Sequence, residues 1–411
     1  MKRTGRIFTV LCIAAPALLC FLAGCRSVEE KAQATAAAEP TATAQPTPSL
    51  SPEETLKEEI EAVMQVKLDA LTDEDYEKYL STVTTEDEYY YNEQARWYSE
   101  MIKPVISSVS FEVESVRQVD EASLEATIRQ RHTGNGEAFD FTYPLLFRME
   151  NGEWKDCGYN FESIEKPRYT LKYMPGETHV EAFTEMIDTA YENLATVFEE
   201  QADDHFEIKL FWDREMLRQR TIPSIAWQFT GWGEPNESLK LYTGHEDIEG
   251  YRGTIQHELV HHITIKICNN NLSDWLLEGT AIYYGNAYYD YSLTGALSNI
   301  VKENLQQTIE ALEATDLYNP SSQQEVWDWY NTSFGYVAYL VETYGKDTFM
   351  QLYYEAGEKP FNDSVTNENF KVDNIETTHA ALETVLGVTP EQLSQDYLAW
   401  LETTDFFDVK T

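Results

Sequence analysis

Between Ile255 and Ile267 the apolar residues Ile255, Leu259, Val260, Ile263 and Ile267 recur at helical spacing, and two histidines, His257 and His261, stand four apart inside that run. Positions i and i+4 of a helix share a face, one turn apart. Two imidazoles so placed can reach one zinc ion at about 2.0–2.1 Å each. Glu258 adjoins His257 on the neighbouring face, where it can serve a water at such an ion without ligating it. The helix must therefore bury its apolar face and also hold a polar site.

A third ligand candidate follows, with sixteen residues between His261 and Glu278. The segment Trp275-Leu276-Leu277-Glu278-Gly279-Thr280-Ala281 predicts a helix capped by Ser273 or Asp274, with Glu278 on its second turn. Asn269-Asn270-Asn271 supplies the turn that folds this helix back beside the first. His257, His261 and Glu278 then form a two-histidine, one-glutamate set with a fourth position left for water. Gly279 and Ala281 suit tight helix packing.

Downstream, Tyr330-Asn331-Thr332-Ser333 leads into Val337, Tyr339-Leu340 and Tyr344-Gly345. His-Glu-x-x-His, then Trp-Leu-x-Glu-Gly-x-Ala, then this Tyr-x-x-Ser segment together resemble the peptidase MA-like (gluzincin) superfamily, over about residues 166 to 405. The resemblance implies a thermolysin-like α+β metallopeptidase domain with a mainly helical C-terminal half. It implies one zinc held by His257, His261 and Glu278, Glu258 as general base, and a peptide or protein substrate. It also implies a group that stabilises the oxyanion. Tyr330 is the first candidate and Tyr336 the second, and both also fit core positions on an amphipathic helix. In that superfamily an edge strand before the metal helix pairs with extended substrate. The strand Ser238 to Thr243 takes that place, with Leu239, Leu241 and Tyr242 as substrate-binding candidates, and it fits plain sheet filler as well. The gap between His261 and Glu278 is shorter than in thermolysin-like and aminopeptidase N-like members, so their substrate rules do not carry over.

The N-terminus bears on location. Lys2, Arg3 and Arg6 precede an apolar stretch over residues 7 to 23, which ends in Leu22-Ala23-Gly24-Cys25. Such a stretch reads as a signal peptide over residues 1–25, too short for a spanning helix. The last four residues resemble the bacterial lipobox, which implies a lipid on Cys25 and an extracytoplasmic protein held to a membrane. An ordinary secretory signal is the other reading. Residues 26–52 carry Pro40, Pro46, Pro48 and Pro52 among Ala, Thr and Glu, the composition of a flexible tether. A formal charge of −41 repels a polyanion and excludes nucleic acid as a partner. Beyond Cys25 only Cys157 and Cys268 remain, which read as two free thiols, with a single bridge between them as the other reading.

Residues 53–165 read as a second α+β unit, a cone-like domain, ahead of the peptidase-like domain over residues 166–411. Ser51-Pro52-Glu53-Glu54 opens a helix, two shorter helices follow, and the pattern then switches to period two. Gly134-Asn135-Gly136 and Asn151-Gly152 predict hairpin turns. Helices followed by a curved four-stranded meander resemble the ketosteroid-isomerase-like cone fold. That fold often encloses a pocket, which gives a ligand-binding reading beside the favoured one of a non-catalytic spacer, because a fold does not fix a function. The binding reading motivates an alternative, a non-catalytic extracytoplasmic binding lipoprotein with the zinc domain as scaffold.

Overall fold

The computed structural model describes residues 51–198, 205–225, 227–244, 248–285, 293–317 and 320–403. Cys25, the signal segment and nearly all of the tether lie outside them. No helix among the described residues is long and apolar enough to cross a membrane. The fold is α+β, with a curled antiparallel sheet followed by a mixed sheet and many helices.

The chain opens with α1 (Pro52–Asp73), fixed by the capping box of Ser51 and Glu54. Two shorter helices follow, α2 (Tyr76–Leu80) and α3 (Glu88–Met101), each with an aspartate N-cap, Asp75 and Asp87. The first sheet is an antiparallel meander of β1 (Ile106–Gln118), β2 (Ser123–Gly134), β3 (Glu137–Glu150) and β4 (Glu153–Asp156). Its β2–β3 and β3–β4 turns are the expected Asn-Gly pairs, Asn135-Gly136 and Asn151-Gly152, with all four φ values positive. Register shifts in β1, after Ser107 and after Val113, bend the sheet.

The concave side is filled from two directions. Ile60 and Met64 of α1 pack on Val113, Leu124, Ala126 and Ile128. Against the same core lies α5 (Arg214–Thr221), from much later in the chain, with Leu217, Ile222 and Ile225. Arg220 is buried there, its guanidinium 4.7 Å from the Tyr143 ring and 5.2 Å from the Trp97 ring.

The second sheet runs in the order β5 (Glu162–Glu165), β6 (Tyr169–Tyr173), β7 (Phe206–Phe211), β9 (Leu239–Tyr242), β8 (Gly231–Trp232). The β6, β7 and β9 strands are parallel, and β8 pairs antiparallel with β9. One face, with Leu171, Ile208, Leu210, Leu239 and Leu241, joins the main core beneath α4 (Val180–Ala195) and α6 (Tyr251–Ile267). The other face carries Lys172, Glu207, Lys209 and Lys240. The alternation reads as a solvated face, yet Glu207, Lys209 and Lys240 are buried, against carboxylates of α3 and the loop before β9. The remaining helices are α7 (Asp274–Gly285), α8 (Leu293–Lys302), α9 (Ile309–Ala314), α10 (Gln323–Tyr344), α11 (Lys346–Gly357), α12 (Phe370–Ala381) and α13 (Pro390–Thr403).

Candidate metal centre

His257 and His261 lie one turn apart on α6, and α7 turns back to present Glu278 to both. Asn269 and Asn270 take left-handed conformations in the turn between the helices, with φ of 50° and 57°. Side-chain amides clamp that turn to a distant segment. Asn269 Nδ2 donates to the Gly357 carbonyl at 2.8 Å, Asn270 Nδ2 to Asn362 at 2.9 Å and Asn271 Nδ2 to Pro360 at 2.9 Å. Helix α7 fits between its neighbours because Gly279 has no side chain: a Cβ there would stand 2.7 Å from the Ser333 carbonyl carbon of α10.

The three ligand atoms form a near-equilateral triangle. His257 Nε2 and His261 Nε2 are 3.1 Å apart, and Glu278 Oε2 is 3.3 Å and 3.2 Å from them. Atoms about 2.0–2.1 Å from one tetrahedral ion stand roughly 3.3–3.4 Å from each other, so the triangle fits such an ion. The donor set of two imidazoles and one carboxylate suits zinc. The group can hold a metal ion, and the site is partly accessible. Burial alone would raise the Glu278 carboxyl, but His261 and His257 overcome it and hold it well below the usual carboxylate range.

Glu258 follows His257 on α6 and lies close enough to His257 and Glu278 to feel both charges. It is 7% exposed, and no hydrogen-bond donor reaches its carboxylate among the described residues. Burial pushes its carboxyl up to about 7, with His257 opposing and Glu278 adding to the rise. Above it passes β8, and a Cβ on Gly231 would stand 2.8 Å from the Glu258 Cδ.

The other predicted residues divide. Tyr330 lies close enough to Glu278 and Glu258 to feel both charges, and burial, then these carboxylates, drive its pKa far up. Tyr336 is a core residue: it is fully buried against Trp275 and Tyr397, and its hydroxyl donates to the Gln307 carbonyl at 2.9 Å. The expectation that Ser238 to Thr243 forms the edge is corrected, because β8 covers β9 and takes the edge itself. Leu241 is buried in the main core, and Tyr242 packs with the first-sheet core under Arg214. Leu239 alone of the three borders the cavity beside Glu258. Two residues are too few for a strand pattern to show, so β8 was not legible; the Gly231-Trp232-Gly233 spacing was its one local signal. Cys157 and Cys268 are both free thiols, as expected.

No family profile matches the chain. No curated protein matches it either. Among solved structures, it is similar to a mutant M1 zinc metallopeptidase from Deinococcus radiodurans bound to a Tyr-Ser-Ala substrate, at 12% identity and a TM-score of 0.34, covering 71% of this chain and 61% of that one. A second structure of M1 zinc metallopeptidase from the same organism gives 11% identity and a TM-score of 0.33, covering 72% of this chain and 61% of that one. The chain thus spans about three-fifths of the length of these structures.

Proposed function

We propose that this protein is a zinc-dependent peptidase acting outside the cell, tethered to a membrane by lipid on Cys25. The observation that carries the reading is the His257–His261–Glu278 triangle, whose 3.1–3.3 Å edges suit one tetrahedral ion, with the buried Glu258 beside it. When bound there, zinc supplies Lewis acidity and makes water a nucleophile near neutral pH. Glu258 takes the proton from the attacking water and returns it to the leaving amine. Its burial and lack of hydrogen bonds favour a carboxyl that both accepts and gives a proton near neutrality. Tyr330 donates to the oxyanion as the carbonyl becomes tetrahedral. The exposed edge of β8, rather than β9, is the strand to which an extended substrate would pair.

The test is a pair of measurements on the purified protein. About one zinc per chain is expected. Glu258→Gln should keep the metal and lose cleavage of a broad peptide mixture. A protein that takes up no zinc, or a Glu258→Gln variant that cleaves like the parent, overturns the reading. The alternative binding role is less well supported, because Ile60 and Met64 of α1 and Leu217 of α5 pack into the core of the first sheet.

A further inference from the structure

The cavity that opens off Glu258 has a character that metal chemistry does not require. It measures about 400 Å³ and follows α6 from Glu258 past His262 to Asn269, a run of about 16 Å at the helical rise. The facing wall is the loop from Gly233 to Glu237 and the start of α3. Phe206, Leu239 and Ile265 give it apolar surface.

Beneath that wall, α3 meets the charged face of the second sheet in one unbroken series of ion pairs. Asp87 pairs with Lys172 at 2.8 Å, and Lys172 with Glu207 at 2.5 Å. Glu207 pairs with Lys209 at 3.1 Å, and Lys209 with Glu93 at 2.8 Å. Glu93 pairs with Lys240 at 3.4 Å, and Lys240 with Glu237 at 3.0 Å. Arg96 closes the series, 2.6 Å from Glu237 and 2.9 Å from Glu234. The signs alternate and both ends are carboxylates, so among the described residues the series carries one more negative group than positive. At one end, Asp87 is the N-cap of α3, where the Tyr90 backbone N–H and the helix dipole meet its charge. At the other, Glu234 stands in the cavity wall, with Arg96 on one oxygen and the Trp232 indole N–H on the other at 3.2 Å. Burial pushes the Glu234 carboxyl up, against Arg96 and with Glu237. Glu258, nine-tenths buried and without a hydrogen-bond partner among the described residues, lines the same cavity. The one lysine in the lining, Lys266, stands about 12 Å further along α6.

We infer that this cavity is a substrate subsite for a basic side chain, lysine or arginine, next to the scissile bond, and that Glu234 pairs with its charge. The inference rests on the peptidase reading of the metal centre. The apolar surface takes the methylene stem, and the carboxylate end of the ion-pair series takes the head. A norleucine side chain would fill the same surface and leave the excess charge unmet. A glutamate would meet Glu234, Glu237 and Glu258 together.

The experiment uses the zinc-loaded full chain and N-acetylated, C-amidated peptides, so that no terminal amine is present. The peptides differ at one residue flanking the cleaved bond: arginine, lysine, norleucine or glutamate. Arginine and lysine should exceed norleucine in kcat/KM by about tenfold or more, the order expected for one charged hydrogen bond. Glu234→Gln should bring that ratio toward one. Fluorescence anisotropy of the arginine and norleucine peptides, with no turnover needed, reads the same ratio as affinity. If nothing is cleaved but the arginine peptide binds preferentially and loses that preference in Glu234→Gln, the peptidase reading fails and the subsite stands. Equal rates and equal binding, or a ratio unmoved by Glu234→Gln, overturn the subsite. The substrate series on the unaltered protein decides the matter if Glu234→Gln does not fold.

Discussion

Gly231 of β8 lies directly against the Glu258 side chain, so that a methyl group on Gly231 would press on the carboxylate from above, 2.8 Å from its Cδ. The strand that completes the sheet and the residue proposed as general base therefore set each other's position. Gly231→Ala should lower kcat/KM by about 10- to 100-fold, because small misplacements of a catalytic group are costly. Zinc content, read by elemental analysis, should stay at the parent level, since the atoms nearest a Cβ on Gly231 all belong to Glu258 and to none of the three ligands.

The two tyrosines of α10 give a contrast within one helix. Tyr330→Phe removes a hydroxyl close to Glu278 and should cut kcat by about 10²- to 10³-fold, the range for one oxyanion donor. Tyr336→Phe removes a hydroxyl buried among core partners and should cost about 1 kcal/mol of stability with activity retained. Steady-state kinetics and thermal melts on the two variants separate the roles.

Removing the metal should be visible as a loss of stability as well as activity. A ligand present at about a thousandfold its dissociation constant adds about 4 kcal/mol to folding. Chelation should therefore lower the melting temperature by several degrees, and zinc should restore it. Glu278→Gln should fail to show that response, because the carboxylate that completes the triangle is gone.

Acid should unfold the protein through its buried carboxylates. Burial would raise the Glu93 carboxyl, but Lys209, Lys240 and a hydrogen bond from Ser238 hold it at about 2, against an ordinary 4.5. A depressed carboxyl binds protons more weakly folded than unfolded, so its contribution is complete above pH 4.5 and is lost as pH falls toward 2. The share at neutral pH is about 3 kcal/mol. Urea denaturation at pH 7 and at pH 3 should show the loss, and Glu93→Gln should shrink the difference between them.

Leu217→Ala should cost about 2–5 kcal/mol, the usual range for a fully buried leucine. Leu217 belongs to α5 but fills the concave side of the first sheet. Far-ultraviolet circular dichroism and tryptophan fluorescence should move to a lower midpoint together, since the two sheets share this packing.

The sequence made the His257–His261–Glu278 cluster legible because helical geometry converts spacing into direction. His257, His261 and Glu278 each sit on a helix whose phase the apolar residues fix. The capping box at Ser51 and the Asn-Gly turns were legible for the same local reason. The charged face of the second sheet was not. Lys209 between Ile208 and Leu210, and Lys240 between Leu239 and Leu241, carry the alternation of a strand with one wet face. What buries them is α3, more than a hundred residues earlier, and no local pattern records a partner at that distance. Tyr330 and Tyr336 were indistinguishable for a related cause. Six residues apart on a largely buried helix, they differ only in which neighbours the tertiary fold supplies.

The asparagine turn between α6 and α7 is fastened at 357–362, and so the spacing of the ligands depends on residues far along the chain. A change confined to that outlying strip, touching neither the three side chains nor the helices that bear them, would loosen the turn that sets Glu278 against the histidines. The fit of the three side chains to a metal ion is thus set in part from a place that no inspection of the cluster itself would single out.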